Sequence, residues 1–147
     1  MSLPDTLTLE VVTPDRAVVR EPVAEVQLPG REGYLGILPG HTPLLTELAT
    51  GALSYRQGGQ TRRVAVSGGF AEVLADRVIV LADSAERAEE IDAARARTAL
   101  ATAEKQLAAA AGTDWETAQQ AIDRARTRLE VAAPGGAAHG AESHAAH

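Results

Sequence analysis

The composition of the chain changes sharply after Asp83, and this change constrains the fold more than any other feature of the sequence. Before this point, apolar and polar residues alternate with a period of two, which is typical of half-buried β-strands. From Ser84 to Ala133 there is no proline, glycine occurs only at Gly112, and alanine is the commonest residue. Alanine has the highest helix propensity. The sequence therefore predicts an all-β domain followed by an all-α domain.

Short strands with closely spaced turns fill the first half of the chain. Leu7, Leu9 and Val11 fall on one face of a first strand. The glycine pair at 58–59 separates two strands, as a two-residue hairpin turn requires. The uninterrupted apolar run at 78–81 predicts a strand that is buried on both faces. Seven or more short strands of this kind predict a β-sandwich or a flattened barrel.

The second half of the chain carries an alanine-rich stripe on each of two predicted helices. Gly112 fits the C′ position of the first helix, and Thr113 with Glu116 has the spacing of a capping box. The short link predicts an antiparallel two-helix hairpin. The stripe positions recur every three or four residues, as in an a/d seam: Ala93, Ala96, Leu100, Ala103, Leu107 and Ala110, then Trp115, Ala118, Ile122, Ala125, Leu129 and Ala132.

The predicted seam between the two helices consists mostly of methyl groups. Burial of one methyl or methylene group contributes about 0.8 kcal/mol, against roughly 1.5–3 kcal/mol for a leucine side chain. Each helix therefore has good intrinsic propensity, whereas the packing between them should be weak. Such a hairpin is a candidate two-state element. A static alanine-rich hairpin is the alternative that the pattern leaves open.

The residues needed for catalysis are scarce in this sequence. It has no cysteine, which excludes disulfides, thiolate metal sites and cysteine nucleophiles. Three of the four histidines lie in the segment 134–147, and His41 stands without a neighbouring Ser–Asp pattern. We therefore predict no catalytic residues, no metal site and no required cofactor. The net charge of −6 argues against nucleic acid as a partner, and no apolar run approaches the roughly 20 residues that span a bilayer.

Four motifs occur in a fixed order along the chain. They are LTLEVVTPDR at 7–16, GYLGILPGHTPLL at 33–45, SGGF at 67–70 and IDAARA at 91–96. With these motifs the chain resembles the epsilon subunit of F-type ATP synthases. The resemblance implies a β-sandwich rotor-docking domain at 1–85 and a regulatory antiparallel helical hairpin at 86–133. The remaining segment, 134–147, is rich in small residues and is predicted to be a disordered tail.

The resemblance also implies a function and a set of partners. A subunit of this family is non-catalytic and forms part of the central stalk, where it couples proton flow to ATP synthesis. Its sandwich contacts the gamma subunit and the membrane c-ring, and its helices reach the catalytic alpha and beta subunits to inhibit ATP hydrolysis. The expected location is the cytoplasmic face of the bacterial plasma membrane, without direct insertion into the membrane. The predicted contact residues are Glu32, Tyr34 and His41. Tyr34 stands where the family commonly has glutamate, and Glu32 is the nearby acidic residue.

Some bacterial members of the family bind ATP as a regulatory ligand through the motif that this chain carries at 91–96. The resemblance implies an ATP site that contains Glu86, Asp92, Arg95, Arg124 and Arg128. Thr102 departs from the family, in which strong ATP binders usually carry arginine. Alternatively, Asp92 caps the first helix with Ile91 as a hydrophobic staple. In that case the arginines pair with Glu104, Asp123 or Glu130 on a solvated face.

A different class of function also fits the periodicity. A free-standing β-sandwich that binds a ligand and dimerises through its helical hairpin would show the same alternation and the same alanine stripes. That interpretation predicts self-association without partner subunits and an apolar pocket in the sandwich.

Overall fold

The computed structural model describes residues 4–133 of the chain, and the predicted tail at 134–147 lies outside these residues. Eight strands are followed by a short 3₁₀ turn and two helices. The strands are β1 Leu7–Val12, β2 Ala17–Val23, β3 Glu25–Gly30, β4 Gly33–Ile37, β5 Leu44–Glu47, β6 Gly51–Gln57, β7 Gln60–Val73 and β8 Arg77–Arg87. The 3₁₀ turn is Ala88–Glu90, and the helices are α1 Ala93–Ala109 and α2 Thr113–Ala132.

The strands form one eight-stranded sheet that folds over itself as a sandwich, which confirms the predicted fold class. The strand order is β2-β1-β8-β7-β6-β3-β4, and β5 pairs with the C-terminal part of β7. β1 and β8 are parallel, and the other neighbours are antiparallel. The long strands β7 and β8 therefore carry different neighbours at their two ends. The predicted boundary after residue 85 falls inside β8, which continues to Arg87.

The main core is aliphatic and belongs entirely to the sandwich. Its fully buried side chains include Leu9, Leu28, Ile37 and Leu53, and every residue of this cluster lies between positions 7 and 85. No residue of either helix contributes to it. The sandwich therefore encloses its own apolar core.

Glycines shape the sheet at two places. Gly58 and Gly59 have φ of +57° and +81° and form the predicted two-residue turn between β6 and β7. Gly69, with φ of +106°, lies against the backbone of Leu81 and Ala82 in β8. A Cβ atom at Gly69 would lie 2.0 Å from the carbonyl oxygen of Leu81, so this position has no room for a side chain.

The prediction that residues 78–81 are buried on both faces is wrong. Val78 and Val80 are fully buried in the core, but Leu81 is 58% exposed. The reason is that only one face of β8 packs against the core of the sandwich. Over Leu81 the opposite face is open to solvent. The run is apolar throughout, yet only alternate side chains reach the core.

The two helices pack as the predicted hairpin, joined by residues 110–112. Five of the twelve predicted seam positions are buried, and all the others except Trp115 are partly buried, which agrees with the predicted seam. The buried positions are Ala96, Ala103, Ala118, Ile122 and Ala125.

Three details of the predicted hairpin are wrong. Trp115 is 51% exposed, because it lies in the first turn of α2 beside the point where α1 has already ended. Gly112, at φ +62°, is the N-cap residue of α2 rather than the C′ residue of α1. Thr113 is therefore already helical, and its side chain forms no cap with Glu116.

Candidate functional site

The hairpin rests on the sandwich through the C-terminal half of α2. A small apolar cluster joins them, in which Val131 packs with Ala52 and Ala65. Ala88 and Ile91, from the segment between the two domains, pack against the same cluster. Helix α1 packs chiefly against α2 rather than against the sandwich. The apolar part of the domain contact is therefore small and consists mostly of alanine and valine side chains.

A polar cleft lies beside this apolar cluster, between α2 and strands β7 and β8. The Nε of Arg128 donates to Oε1 of Glu86 at 2.6 Å across it. Arg124 lines the same cleft, together with Ser67 and Ser84. Its volume is about 10 Å³, which is room for roughly one water molecule. The structure thus brings together three of the five predicted ATP-site residues, and an ion pair between two of them closes the cleft.

The other two predicted ATP-site residues lie elsewhere. An Oδ1 of Asp92 accepts from the backbone N–H of Arg95 at 3.1 Å, so Asp92 is the N-cap residue of α1. The Asp92 and Arg95 side chains are exposed and do not line the cleft. Asp92 therefore has the role that the sequence offered as the alternative to ATP binding, that of the residue that caps α1. Thr102 is also exposed on α1.

The predicted contact residues Glu32 and Tyr34 lie at a groove of about 540 Å³ between the β3–β4 turn and β5. Glu32 is exposed in the turn. The hydroxyl oxygen of Tyr34 accepts from the backbone N–H of Ala52 at 3.2 Å, and partial burial raises the Tyr34 pKa. His41 lies outside this groove, with Nδ1 2.6 Å from the carbonyl oxygen of Thr42, so Nδ1–H donates. Tyr34 therefore ties β4 to β6, and Glu32 is the freely presented charge.

A second surface was not predicted from the sequence. Large apolar side chains stand on the outer face of strands β5, β7 and β8, where Leu45 is 71%, Phe70 53% and Leu81 58% exposed. Phe70 pairs directly with Leu81 across β7 and β8, so their side chains share one face. Val12 continues the row on β1 as the partner of Leu81. We name Leu45, Phe70, Leu81 and Val12 the outer sheet face.

The outer sheet face had a signal in the sequence. Ala71 and Val73 are buried, so strand alternation directs Phe70 and Glu72 outward together. Phe70 is the only phenylalanine of the chain, and an aromatic residue in phase with a glutamate indicates an exposed apolar position. The prediction missed it because the 78–81 run was taken to be covered on both sides.

Two kinds of site are not found among the described residues. Within residues 4–133, no helix is long and apolar enough to cross a membrane. In the same part of the chain, no group of three or more histidine, aspartate or glutamate side chains is placed to hold a metal ion.

Two family models match consecutive parts of the chain. The model described as "ATP synthase, Delta/Epsilon chain, beta-sandwich domain" matches residues 6–88. The model described as "ATP synthase, Delta/Epsilon chain, long alpha-helix domain" matches residues 89–133. Together they cover the sandwich, the 3₁₀ turn and the hairpin.

Curated relatives and solved structures agree with these matches. The chain is 55% identical over 131 residues to the ATP synthase epsilon chain of Solibacter usitatus, covering 88% of this chain and 98% of that one. It is 51% identical over 127 residues to the epsilon chain of Nitratidesulfovibrio vulgaris, covering 86% and 95%. A chain in the cryo-EM structure of the Euglena gracilis mitochondrial ATP synthase, OSCP/F1/c-ring, superposes with a TM-score of 0.79 at 28% identity, covering 90% of this chain and 84% of that one.

Proposed function

Since the chain belongs to the family of ATP synthase epsilon chains, we propose that it is a non-catalytic subunit of the central stalk of a bacterial F-type ATP synthase. In this role it couples proton flow to ATP synthesis as a structural part of the rotor. It works at the cytoplasmic face of the plasma membrane through its partners. The predicted resemblance to the family is confirmed by the two family models and the curated relatives.

The outer sheet face is the observation that carries this proposal. Isolated exposed apolar residues are common, but a contiguous group of large ones on a sheet is typical of a protein–protein interface. Phe70, Leu81 and Leu45 are each more than half exposed, and an aromatic residue at the centre of such a group is a typical anchor. We assign this face to the gamma subunit, the rotor shaft that the sandwich contacts.

The β3–β4 turn supplies a second proposed contact. Glu32 is presented at its tip, while Arg31 beside it is paired with Glu47 at 2.7 Å. The turn therefore offers one carboxylate that no neighbouring cation neutralises through a short ion pair. A basic group on the loops of the c-ring is the complementary partner. His41, held to the backbone of its own loop, is a minor contact in this assignment.

A binding titration tests the docking proposal directly. The purified chain is mixed with purified gamma subunit, and the complex is sized by light scattering after gel filtration. We expect a one-to-one complex and a monomeric chain in the absence of gamma. A chain that dimerises on its own and ignores gamma would contradict docking. It would instead support the free-standing ligand-binding protein.

The hairpin is proposed as the regulatory element that inhibits hydrolysis by reaching the catalytic alpha and beta subunits. Its contacts with the sandwich include one small apolar cluster, the Glu86–Arg128 pair, and a hydrogen bond that Nη2 of Arg63 donates to the carbonyl oxygen of Ala133 at 3.2 Å. A partly exposed ion pair of this kind contributes little, of the order of 1 kcal/mol or less. Because α1 packs on α2, the hairpin can leave the sandwich as a unit while the main core stays intact.

ATP is proposed as a regulatory ligand of the docked hairpin. The cleft has too little free volume for a nucleotide while Glu86 and Arg128 are paired. Phosphate oxygens would have to replace the Glu86 carboxylate as the partner of Arg128, with Arg124 as the second guanidinium. The two arginines are four residues apart on α2, so they share one helix face.

A thermal melt with and without millimolar ATP tests this ligand. Binding at a hundredfold excess over the dissociation constant stabilises a protein by about 2.7 kcal/mol, a rise of roughly 5–10 °C for a domain of this size. The double variant Arg124→Ala/Arg128→Ala should lose the rise. Arg126→Ala, an exposed arginine on the same helix, is the matched control and should keep it. An ATP effect that survives the double variant, or none in the unaltered chain, would overturn the assignment.

A further inference from the structure

A charged network joins the β1–β2 turn to the segment between the two domains. Arg16 donates from Nη1 to Oε2 of Glu90 at 2.6 Å and from Nη2 to Oε1 at 2.9 Å. The backbone N–H of Arg87 donates to the same Oε1 at 2.9 Å. Two parallel bonds between a guanidinium and a carboxylate add geometric specificity to the energy of an ion pair. Glu90 is thus held from the sandwich, 74 residues away in sequence.

The electrostatics of the pair agree with its geometry. The hydrogen bonds from Arg16, followed by the bond from the Arg87 backbone, lower the pKa of Glu90 from 4.5 to about 2. The same pairing raises the pKa of Arg16. Arg16 also donates from Nη2 to the carbonyl oxygen of Ala85 at 3.4 Å. One side chain therefore contacts both the last residues of β8 and the last residue of the 3₁₀ turn.

The backbone beyond Glu90 is held differently. Ile91 and Asp92 are extended, with ψ of 126° and 99°. Asp92 is bonded to helix α1 through the Arg95 amide. Ile91, like Ala88, packs on the cluster of Ala52, Ala65 and Val131 that joins the two domains. Asp92 is therefore the first residue bonded to the hairpin alone, and residues 91 and 92 are the extended link between the turn 88–90 and α1. The hydrogen bonds from Arg16 end at Glu90, one residue before this extended segment.

We propose that Arg16 is a clamp that fixes the 3₁₀ turn 88–90 to the sandwich and so places the hinge of the hairpin at residues 91–92. This inference depends on the proposed function in one respect, which is that the hairpin moves relative to the sandwich. With the clamp in place, lifting α2 rotates the backbone at two residues and leaves β8 fully paired. Without it, the motion spreads back into the turn and the end of β8.

Hydrogen exchange of the 147-residue chain tests the clamp without any ATP synthase partner. In Arg16→Ala, we expect the Arg87 and Ile91 amides to exchange about tenfold faster, since each is hydrogen-bonded within the clamped turn. Amides in the middle of β8 should not change. Arg20→Ala is the control, because Arg20 also forms an ion pair with a glutamate, Glu10, but inside the β1–β2 hairpin and away from the turn 88–90. It should leave the turn unchanged.

Two further measurements make the result decisive. Arg16→Lys retains the charge but not the two-pronged geometry, so its exchange rates should fall between those of Arg16→Ala and the unaltered chain. The Glu90 carboxyl, followed by NMR, should titrate with a pKa of about 2 in the unaltered chain and well above that in Arg16→Ala. Equal protection of the turn in Arg16→Ala and Arg20→Ala would overturn the clamp. Failure of gamma binding would not, since it tests only the proposed function.

Discussion

Replacing Phe70 with serine should weaken binding to the gamma subunit by about 30-fold or more while leaving the chain folded. Truncation of a central aromatic anchor costs 2 kcal/mol or more at a typical interface, and 1.4 kcal/mol corresponds to a factor of ten. Phe70 is 53% exposed in the isolated chain, so its removal takes little from the core. The melting temperature should therefore change by only a few degrees. The loss of affinity is measured by titrating the variant with the gamma subunit.

Trp115 provides a matched control for this experiment. It is 51% exposed, also aromatic, and lies on the hairpin rather than on the outer sheet face. Trp115→Ser should bind gamma with the affinity of the unaltered chain. If both substitutions weaken binding equally, the interface is spread over both domains and the outer sheet face is not its centre. If Phe70→Ser binds normally, the gamma subunit docks elsewhere.

Replacing Gly69 with alanine should lower the stability of the sandwich by at least about 4 kcal/mol. The added Cβ would lie 2.0 Å from the Leu81 carbonyl oxygen and 2.8 Å from the Ala82 Cα, both backbone atoms that cannot rotate away. The φ of +106° is strained for any residue with a side chain. A loss of this size falls in the exceptional range for a single substitution, and it should lower the melting temperature by roughly 10 °C or more.

Gly58→Ala is the control that distinguishes the steric clash at Gly69 from the cost of a positive φ. Gly58 also has a positive φ, at +57°, but nothing lies within 4 Å of an added Cβ atom. Gly58→Ala should therefore cost only the left-handed conformation, about 1–2 kcal/mol. Thermal melts of the two variants under one set of conditions provide the comparison. Equal losses would mean that β7 and β8 move apart at Gly69 with little cost.

Much of the fold could be predicted from the sequence because its periodicity is strong. The period of two in the first half predicted the strands, and the spacing of alanines predicted which positions of α1 face α2. Local chemistry was equally informative at Asp92, where the capping alternative matches the observed bond to the Arg95 amide. The convergence of Glu86 with Arg124 and Arg128 agrees with the resemblance to the family, although their roles toward ATP stay a prediction.

The features that escaped prediction depend on which strands become neighbours. Periodicity shows that Leu81 and Val80 point in opposite directions, but not which of the two faces is left uncovered. The pairing of Arg16 with Glu90 requires β1 to lie beside β8, an arrangement that no local pattern encodes. Trp115 keeps the seam spacing, yet the helix that would cover it ends too early. Each miss concerns the surroundings of a residue rather than its own conformation.

The most direct test of the account is the rate of ATP hydrolysis by an F1 sector from which the epsilon subunit has been removed. The 147-residue chain is added back, and in parallel a chain that ends after Glu90, which keeps every residue of the main core and the Arg16 clamp. We predict that both bind and that only the 147-residue chain lowers the rate. If neither binds, the chain is not a stalk subunit of this kind. If both lower the rate equally, the hairpin is not the inhibitory element.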